Sequence, residues 1–141
     1  MPIFPSREWA DEAMRLANAD PEVEAAGADW VGDFGIVIDA ERGKLDAAFT
    51  VHVVPRSGRV ERCKVLRDPD ELEELEPAYL ARAPYSVWKA LIKGELDPVE
   101  ALLRRQITLA GNVQPLIERA RYKGIGDRVL AQIPTVWADE R

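Results

Sequence analysis

Residues 30–66 read WVGDFGIVIDAERGKLDAAFTVHVVPRSGRVERCKVL and contain the clearest structural pattern in the chain. Apolar residues alternate with polar or small ones over Trp30–Ala40, and again over Leu45–Val53. A period of two is typical of strands that expose one face to water. Glu41–Lys44 contains a glycine between the two runs, so the pattern predicts two antiparallel strands joined by a hairpin loop.

A third strand is predicted after the turn residues Pro55–Gly58. It covers Arg59–Leu66, but Val60 and Cys63 fall on opposite parities of its alternation. We therefore expect a β-bulge in this strand or a place at the sheet edge. Three strands connected by short loops predict an antiparallel meander.

The flanking sequence alternates helix starts with short strand patterns. Two further strands are predicted over Tyr79–Ala83 and at Ile107 and Leu109, which gives five strands in all. Helix starts are predicted at capping residues, which are Ser6, Asp68, Ser86, Asp97 and Asn112. Gly124 and Gly126 are expected to break the helix that follows Asn112, with a short final helix carrying Val129, Leu130 and Ile133.

Strands gathered early and helices gathered late predict one α+β domain over residues 1–141. Each of the five or six predicted helices has only one apolar stripe, so we expect them to cover one face of the sheet. The composition, with 47% hydrophobic and 31% charged residues, agrees with one hydrophobic core.

The net charge restricts the classes of molecule that the protein is expected to bind. A formal net charge of -6 argues against a general nucleic-acid-binding protein, which needs clustered Lys and Arg to neutralise phosphates. Arg119, Arg121 and Lys123 make the last third locally basic and are candidates for holding an anionic headgroup. The low content of Asn and Gln beside many Arg and Glu favours a thermophilic source.

The single cysteine, Cys63, excludes an internal disulfide and a zinc site built on several cysteines. No charge-free stretch approaches the roughly 20 residues of a membrane-spanning helix. Met1–Glu12 lacks the features of a secretory signal, so we expect a cytoplasmic protein.

Catalytic motifs are scarce. His52 is the only histidine, and it could form a catalytic dyad with Cys63 if strands two and three are neighbours. The alternative, a polar-face histidine and a small core thiol, is favoured. Gly124-Ile125-Gly126 lacks the remaining glycine and the preceding strand of a dinucleotide site. The sequence therefore predicts no catalytic residue, no metal and no cofactor.

Residues 78–112, AYLARAPYSVWKALIKGELDPVEALLRRQITLAGN, carry a family resemblance. They resemble the sterol carrier protein type-2 family in a short strand, a helix ended by glycine, a G-x-L-D-P-x-x-A motif and a strand ended by glycine. The matching positions are Gly94, Leu96, Asp97, Pro98, Ala101 and Gly111. The chain ends without a peroxisomal Ser-Lys-Leu-like signal, so it resembles a bacterial stand-alone member more than a peroxisomal one.

The resemblance implies a five-stranded mixed, mainly antiparallel sheet covered on one face by about five helices. It implies an apolar tunnel between sheet and helices that takes a fatty acid, fatty acyl-CoA, sterol-like molecule or other lipid, without catalysis. It allows transient membrane contact. The tunnel residues expected from matching position and apolar phase are Phe34, Phe49, Trp88, Leu91, Leu103, Ile107, Leu109, Leu116, Ile117 and Ile133. Two alternatives stay open: a packed interaction domain without ligand, and an enzyme acting on a hydrophobic substrate.

Overall fold

The computed structural model describes residues 1–141. Its strands are β1 Ile3–Phe4, β2 Phe34–Asp39, β3 Phe49–Arg56, β4 Arg59–Leu66, β5 Tyr79–Pro84, β6 Thr108–Ala110 and β7 Val136–Trp137. Its α-helices are α1 Arg7–Ala19, α2 Pro21–Gly27, α3 Pro69–Glu74, α4 Tyr85–Ile92, α5 Pro98–Leu103, α6 Gln114–Glu118 and α7 Lys123–Ala131. Short 3₁₀ helices follow at Arg119–Tyr122 and Ala138–Glu140. None of the helices has the length and apolar character needed to cross a membrane.

The main sheet has the strand order β4-β3-β2-β5-β6. β2 runs parallel to β5, and every other neighbouring pair is antiparallel, so the predicted α+β fold with a five-stranded mixed sheet is confirmed. The third predicted strand, β4, lies at the edge, and its pairing with β3 shifts register between Val54 and Pro55. Both expectations for this strand are therefore met: β4 contributes one extra, unpaired residue, Glu61, opposite the Val54–Pro55 step of β3.

The first two strands of the meander begin later than the alternation predicted. β2 begins at Phe34 rather than near Trp30, because Gly32 adopts a positive φ of 119° and the Trp30 indole donates to its carbonyl. β3 begins at Phe49 rather than Leu45, which instead closes a tight loop by a backbone hydrogen bond to Glu41. Local hydrogen bonds in both places compete with the ladder.

Most helices pack on the face of the sheet that carries Ile36 and Ile38. Ile38 belongs to a buried cluster with Trp9 of α1, Tyr85 of α4 and Ile133, which follows α7. A second cluster on this side joins Ala83 of β5 to Ala101 of α5 and to Ile107. The predicted helical layer on one face thus forms the larger part of the core.

Helix α3 lies on the opposite face of the sheet, where the sequence analysis predicted no helix. Leu72 is fully buried there against Val37 of β2 and Leu66 of β4. A Cβ at Gly35 would come within 2.7 Å of the Leu72 side chain, so glycine is required for α3 to approach this closely. One leucine on a short acidic helix is a weak sequence signal, which is why the second layer was not predicted.

The helical boundaries also differ from prediction in several places. Helix α2 was not predicted; it begins after Asp20, whose side chain accepts hydrogen bonds from Glu22 N and Val23 N. Ser86 lies inside α4 instead of capping it, and its N–H donates to Glu41. Gly124 and Gly126 do not break a helix, because both lie within α7 with ordinary φ values and tertiary packing overrides their weak propensity.

The two chain ends are joined at one end of the helical layer. β1 pairs in parallel with β7, which places Phe4 5.5 Å from the ring of Trp137. Tyr85 donates a hydrogen bond of 2.8 Å to Asp139, and Lys89 also bonds this carboxylate at 3.0 Å. Burial alone would raise the pKa of Asp139, but the bonds from Lys89 and Tyr85 hold it below its usual value.

We expect Tyr85 to ionise abnormally late. Burial and the hydrogen bond to Asp139 raise its pKa to about 12. Because the folded pKa lies above the usual value of about 10, this group's contribution to stability is complete below about pH 10. The contribution is lost as the pH rises towards 12. Subtracting the ultraviolet titration curve of Tyr85→Phe from that of the wild type isolates the ionisation of Tyr85. A midpoint of this difference curve near pH 10 would contradict the buried hydrogen bond to Asp139.

Candidate functional site

An apolar cavity of about 400 Å³ lies between the sheet and helices α1, α4 and α7. Of its 21 lining residues, 18 are hydrophobic. The lining residues are Phe4, Pro5, Ser6, Trp9, Ala10, Ala13, Met14, Ala17, Val23, Ile36, Ile38, Phe49, Val51, Val53, Val60, Cys63, Trp88, Ile92, Gly126, Val129 and Leu130. The volume falls within the range of about 300–1,000 Å³ that is typical of small-molecule pockets.

The sheet forms the floor of the cavity through strand alternation. Phe49, Val51 and Val53 of β3 are spaced by two and face the same side. Val51 is paired with Ile36 of β2, and Val53 is paired with Cys63 of β4. Residues in register across strands share a face, so three neighbouring strands present one continuous apolar surface.

Helix α1 leaves room above this floor because its inner residues are small. Ala10, Ala13 and Ala17 recur at helical spacing and line the cavity together with Met14. Ser6 starts the helix by accepting a hydrogen bond of 3.1 Å from Trp9 N. Asn18 holds the other end of α1 to β4 through two hydrogen bonds with the backbone of Val60. Trp9 Nε1 donates to Thr135 Oγ1, so α1 is held at both ends over a gap that alanine side chains do not fill.

Cys63 is the one thiol in the cavity wall. Burial and the nearby carboxylate of Asp11 raise its pKa, which keeps it protonated. His52 is one position away from the Val53–Cys63 pair, so its side chain points to the other face of the sheet. The alternating geometry excludes the Cys63–His52 dyad that the sequence allowed.

His52 instead has a structural partner. Its Nε2 atom lies 2.7 Å from Asp33, and the other oxygen of Asp33 accepts a hydrogen bond from Ala78 N. Burial would raise the pKa of Asp33, but the bonds from His52 and Ala78 hold it below its usual value. Since Asp33 precedes β2 and Ala78 precedes β5, this contact aligns the starts of two parallel strands.

Two of the ten predicted tunnel residues, Phe49 and Trp88, line the cavity. Three others contribute to neighbouring core clusters: Ile133 beside Trp9, and Leu91 and Ile107 around Ala101.

The other five predicted tunnel residues lie outside the cavity. Phe34 forms an aromatic cluster with Trp30 and Tyr79, in which the ring centroids of each pair are 5.4 Å apart. Leu109 is on strand β6, while Leu116 and Ile117 are on α6, and none of the three borders the cavity. Leu103 is 75% exposed at the end of α5. Exposure on this scale places Leu103 at the surface, against the expectation from its apolar phase.

Sequence reasoning missed the contributions of the N-terminal segment and of α1. Phe4, Trp9 and Ala13 border the cavity, yet the sequence showed only an ordinary apolar stripe in this helix. The run of small residues on that stripe was the available signal, since alanines facing a sheet leave space. Phe4 gave no signal, because its position depends on pairing with β7 at the far end of the chain.

The three basic residues predicted to hold an anionic headgroup have different surroundings in the structure. Arg119 is engaged by Asp29 at 3.0 Å and by the Ala26 carbonyl at 2.8 Å, and Lys123 pairs with Asp127. Arg121 lies over the ring of Tyr122. Arg119 and Arg121, but not Lys123, border a separate polar cavity, and none of the three lines the apolar one.

The fold is shared with solved structures. No family model matches the sequence, and no curated protein matches it. A crystal structure of sterol carrier protein 2 superposes with a TM-score of 0.72 at 17% identity, covering 91% of this chain and 97% of that one. A conserved hypothetical protein from Thermus thermophilus, suggested to be a sterol carrier protein, gives 0.72 at 19% identity over 92% of this chain and 90% of that one.

A palmitated sterol carrier protein 2-like 2 protein from Aedes aegypti also matches, with a TM-score of 0.54 and 18% identity. The match covers 84% of this chain and 94% of that one. The three matches cover 84–92% of this chain, so the likeness concerns the domain as a whole rather than one part of it. The chain therefore has the fold of the sterol carrier protein 2 domains.

Proposed function

We propose that this protein binds and carries a hydrophobic ligand in the apolar cavity, without catalysing a reaction. The observation that supports this most strongly is the cavity itself, because 18 of its 21 lining residues are hydrophobic. Apolar cavities remain dry and accept apolar guests. The ligand classes that suit this wall are fatty acids, the acyl chains of fatty acyl-CoA, sterol-like molecules and other lipids.

Burial of the hydrocarbon supplies the driving force in this proposal. Each buried methylene contributes about 0.8 kcal/mol, so a chain of about a dozen carbons contributes on the order of 10 kcal/mol before ordering costs. Micromolar binding corresponds to about 8 kcal/mol. An acyl chain of this length therefore suits a carrier that must both hold and release its ligand.

The structural neighbours support the same proposal at the level of the fold, because one of them is described as palmitated. We further propose that the carrier acts in the cytoplasm and touches membranes only while exchanging ligand.

His52 and Cys63 face opposite sides of the sheet, which gives the cavity no nucleophile with an adjacent base.

The direct test is displacement of a fluorescent fatty acid, together with native mass spectrometry of protein purified from cells. We expect micromolar displacement by fatty acids and co-purifying lipid that is lost on solvent extraction. Absence of both would instead favour a packed interaction domain. Hydrolysis of added acyl-CoA that is abolished in the Cys63→Ser variant would favour an enzyme.

Cys63 provides a reporter for the place of binding. Since it lines the cavity, a bound chain should shield it from a small alkylating reagent. With ligand at ten times its Kd, we expect alkylation to slow about tenfold, in proportion to the unoccupied fraction. The rate of mass increase on intact protein measures this effect.

The matched control places the only thiol outside the cavity. Ala19 is exposed at the end of α1, so a Cys63→Ser, Ala19→Cys variant should be alkylated at the same rate with and without ligand. Equal protection of both thiols would indicate a general change in the protein and contradict binding in this cavity.

A further inference from the structure

Most hydrogen-bonding groups in the cavity wall are already used within the protein. Ser6 Oγ accepts from Trp9 N at 3.1 Å, and Trp9 Nε1 donates to Thr135 Oγ1 at 3.0 Å. Trp88 Nε1 donates to the Val37 carbonyl at 3.0 Å. An indole has only one donor, so neither tryptophan can offer a hydrogen bond to a ligand without breaking one.

Two polar groups remain, the O–H of Ser6 and the thiol of Cys63, but the wall exposes almost no polar surface to the cavity. A thiol is a weak donor and a weak acceptor, and no charged side chain lines the cavity. A hydroxyl or carboxyl group placed inside would therefore give up its bonds to water without replacement. An unpaired buried polar group of this kind weakens binding by about 5-fold to 150-fold.

We propose that this cavity selects its ligand by the enclosed end of the chain, which must be bare hydrocarbon, and does not recognise the headgroup inside the wall. This inference rests on the proposed function and makes it more specific. It assigns the ligand class as amphiphiles with an unsubstituted tail, such as an acyl or isoprenoid chain. Chains that carry a polar group at the far end are rejected.

The test compares three probes of equal length: dodecanoic acid, 1-dodecanol and 12-hydroxydodecanoic acid. Each displaces the same fluorescent fatty acid at concentrations below micelle formation. We expect the acid and the alcohol to bind within about threefold of each other, since neither head finds a partner in the wall. The 12-hydroxy acid should bind at least about fivefold more weakly than dodecanoic acid.

Threonine variants locate the origin of this discrimination. Val53 lies at the end of the cavity where β2 begins, because it pairs with Phe34, whereas Ile92 packs against the cluster around Ile38 at the opposite end. Val53→Thr and Ile92→Thr each place a hydroxyl in one end of the wall. In the variant whose new hydroxyl lies beside the inserted chain end, the 12-hydroxy group gains a hydrogen-bond partner. The ratio of the Kd of 12-hydroxydodecanoic acid to that of dodecanoic acid should therefore fall several-fold.

Val54→Thr is the matched control. Val54 is next to Val53 on the same strand but faces away from the cavity, so this variant should bind all three probes like the wild type. If the ratio of the two Kd values stays at its wild-type level in both Val53→Thr and Ile92→Thr, the inference is overturned.

The two proposals fail in different ways. If no dodecyl compound displaces the fluorescent probe, the carrier function falls and the inference falls with it. If dodecanoic acid binds but the 12-hydroxy acid binds within about threefold of it, a polar partner is present and the inference alone is overturned. Strong preference for the carboxylate over the alcohol would overturn it as well, by showing that the headgroup is recognised.

Discussion

Replacing Ala13 with phenylalanine is expected to weaken fatty-acid binding by at least about 30-fold. Ala13 lies on the side of α1 that faces the cavity, so the added ring occupies space that the ligand needs. Losing room for three or four methylenes removes about 2–3 kcal/mol of burial, and each 1.4 kcal/mol corresponds to about tenfold in Kd. Displacement of a fluorescent fatty acid measures the loss.

The stability of this variant should change much less than its affinity. A side chain that enters an existing cavity gains contacts rather than forcing apart a filled core, so we expect a shift in Tm of only a few degrees. Thermal unfolding of the ligand-free protein checks this. Ala17→Phe places the same ring one helical turn further along and gives a second measurement if Ala13→Phe folds poorly.

Ala19→Phe is the control, since Ala19 is exposed at the end of the same helix and does not line the cavity. It should bind ligand with wild-type affinity. Wild-type affinity in correctly folded Ala13→Phe and Ala17→Phe proteins would mean that ligand binds elsewhere. The pair of results therefore separates blocked binding from general effects of an added aromatic ring.

Replacing Leu72 with alanine is expected to destabilise the protein by about 2–5 kcal/mol, the usual range for a buried leucine. Leu72 is fully buried and is the residue that anchors α3 against Val37 and Leu66. Its removal leaves a gap that Gly35 cannot fill, because this residue has no side chain. Denaturant unfolding measures this loss as a lower midpoint concentration of denaturant, while the slope of the unfolding free energy against denaturant stays the same.

Leu75→Ala is the matched control, because Leu75 follows the same helix and is 48% exposed. Its substitution should change the unfolding free energy by less than about 0.5 kcal/mol. Ligand affinity should survive in folded Leu72→Ala protein, since Leu72 lies on the other side of the sheet from the cavity. Equal destabilisation by both substitutions would contradict the packing of α3 on this face.

Residues 30–66 specified the meander through local signals. Alternating apolar residues and a glycine-containing turn are properties of neighbours in sequence, so β2, β3 and β4 could be predicted. The mixed parity of Val60 and Cys63 further indicated a bulge or an edge position for β4. Helix starts at Ser6 and Asp68 were also predictable, because each side chain bonds an N–H three residues along.

Signals of the same local kind failed where distant contacts outweighed them. Gly124 and Gly126 lie inside α7, although their propensity favours a break. The second face of the sheet is covered where Leu72 of α3 packs against Val37 and Leu66, and β1 forms only because β7 returns beside it. Each of these features depends on a partner far away in sequence, which no local pattern records.

The candidate site shows the same division. From the sequence alone came the α+β class, a sheet floor containing Phe49 and an apolar interior near Trp88. Only the tertiary structure distinguished residues that border empty space, such as Ala13 and Val53, from residues that fill the core, such as Ile107 and Ile133. The physical reason is that both groups have the same apolar chemistry and the same periodicity. Whether a side chain meets a neighbour or a void is set by how helices and sheet are spaced in three dimensions.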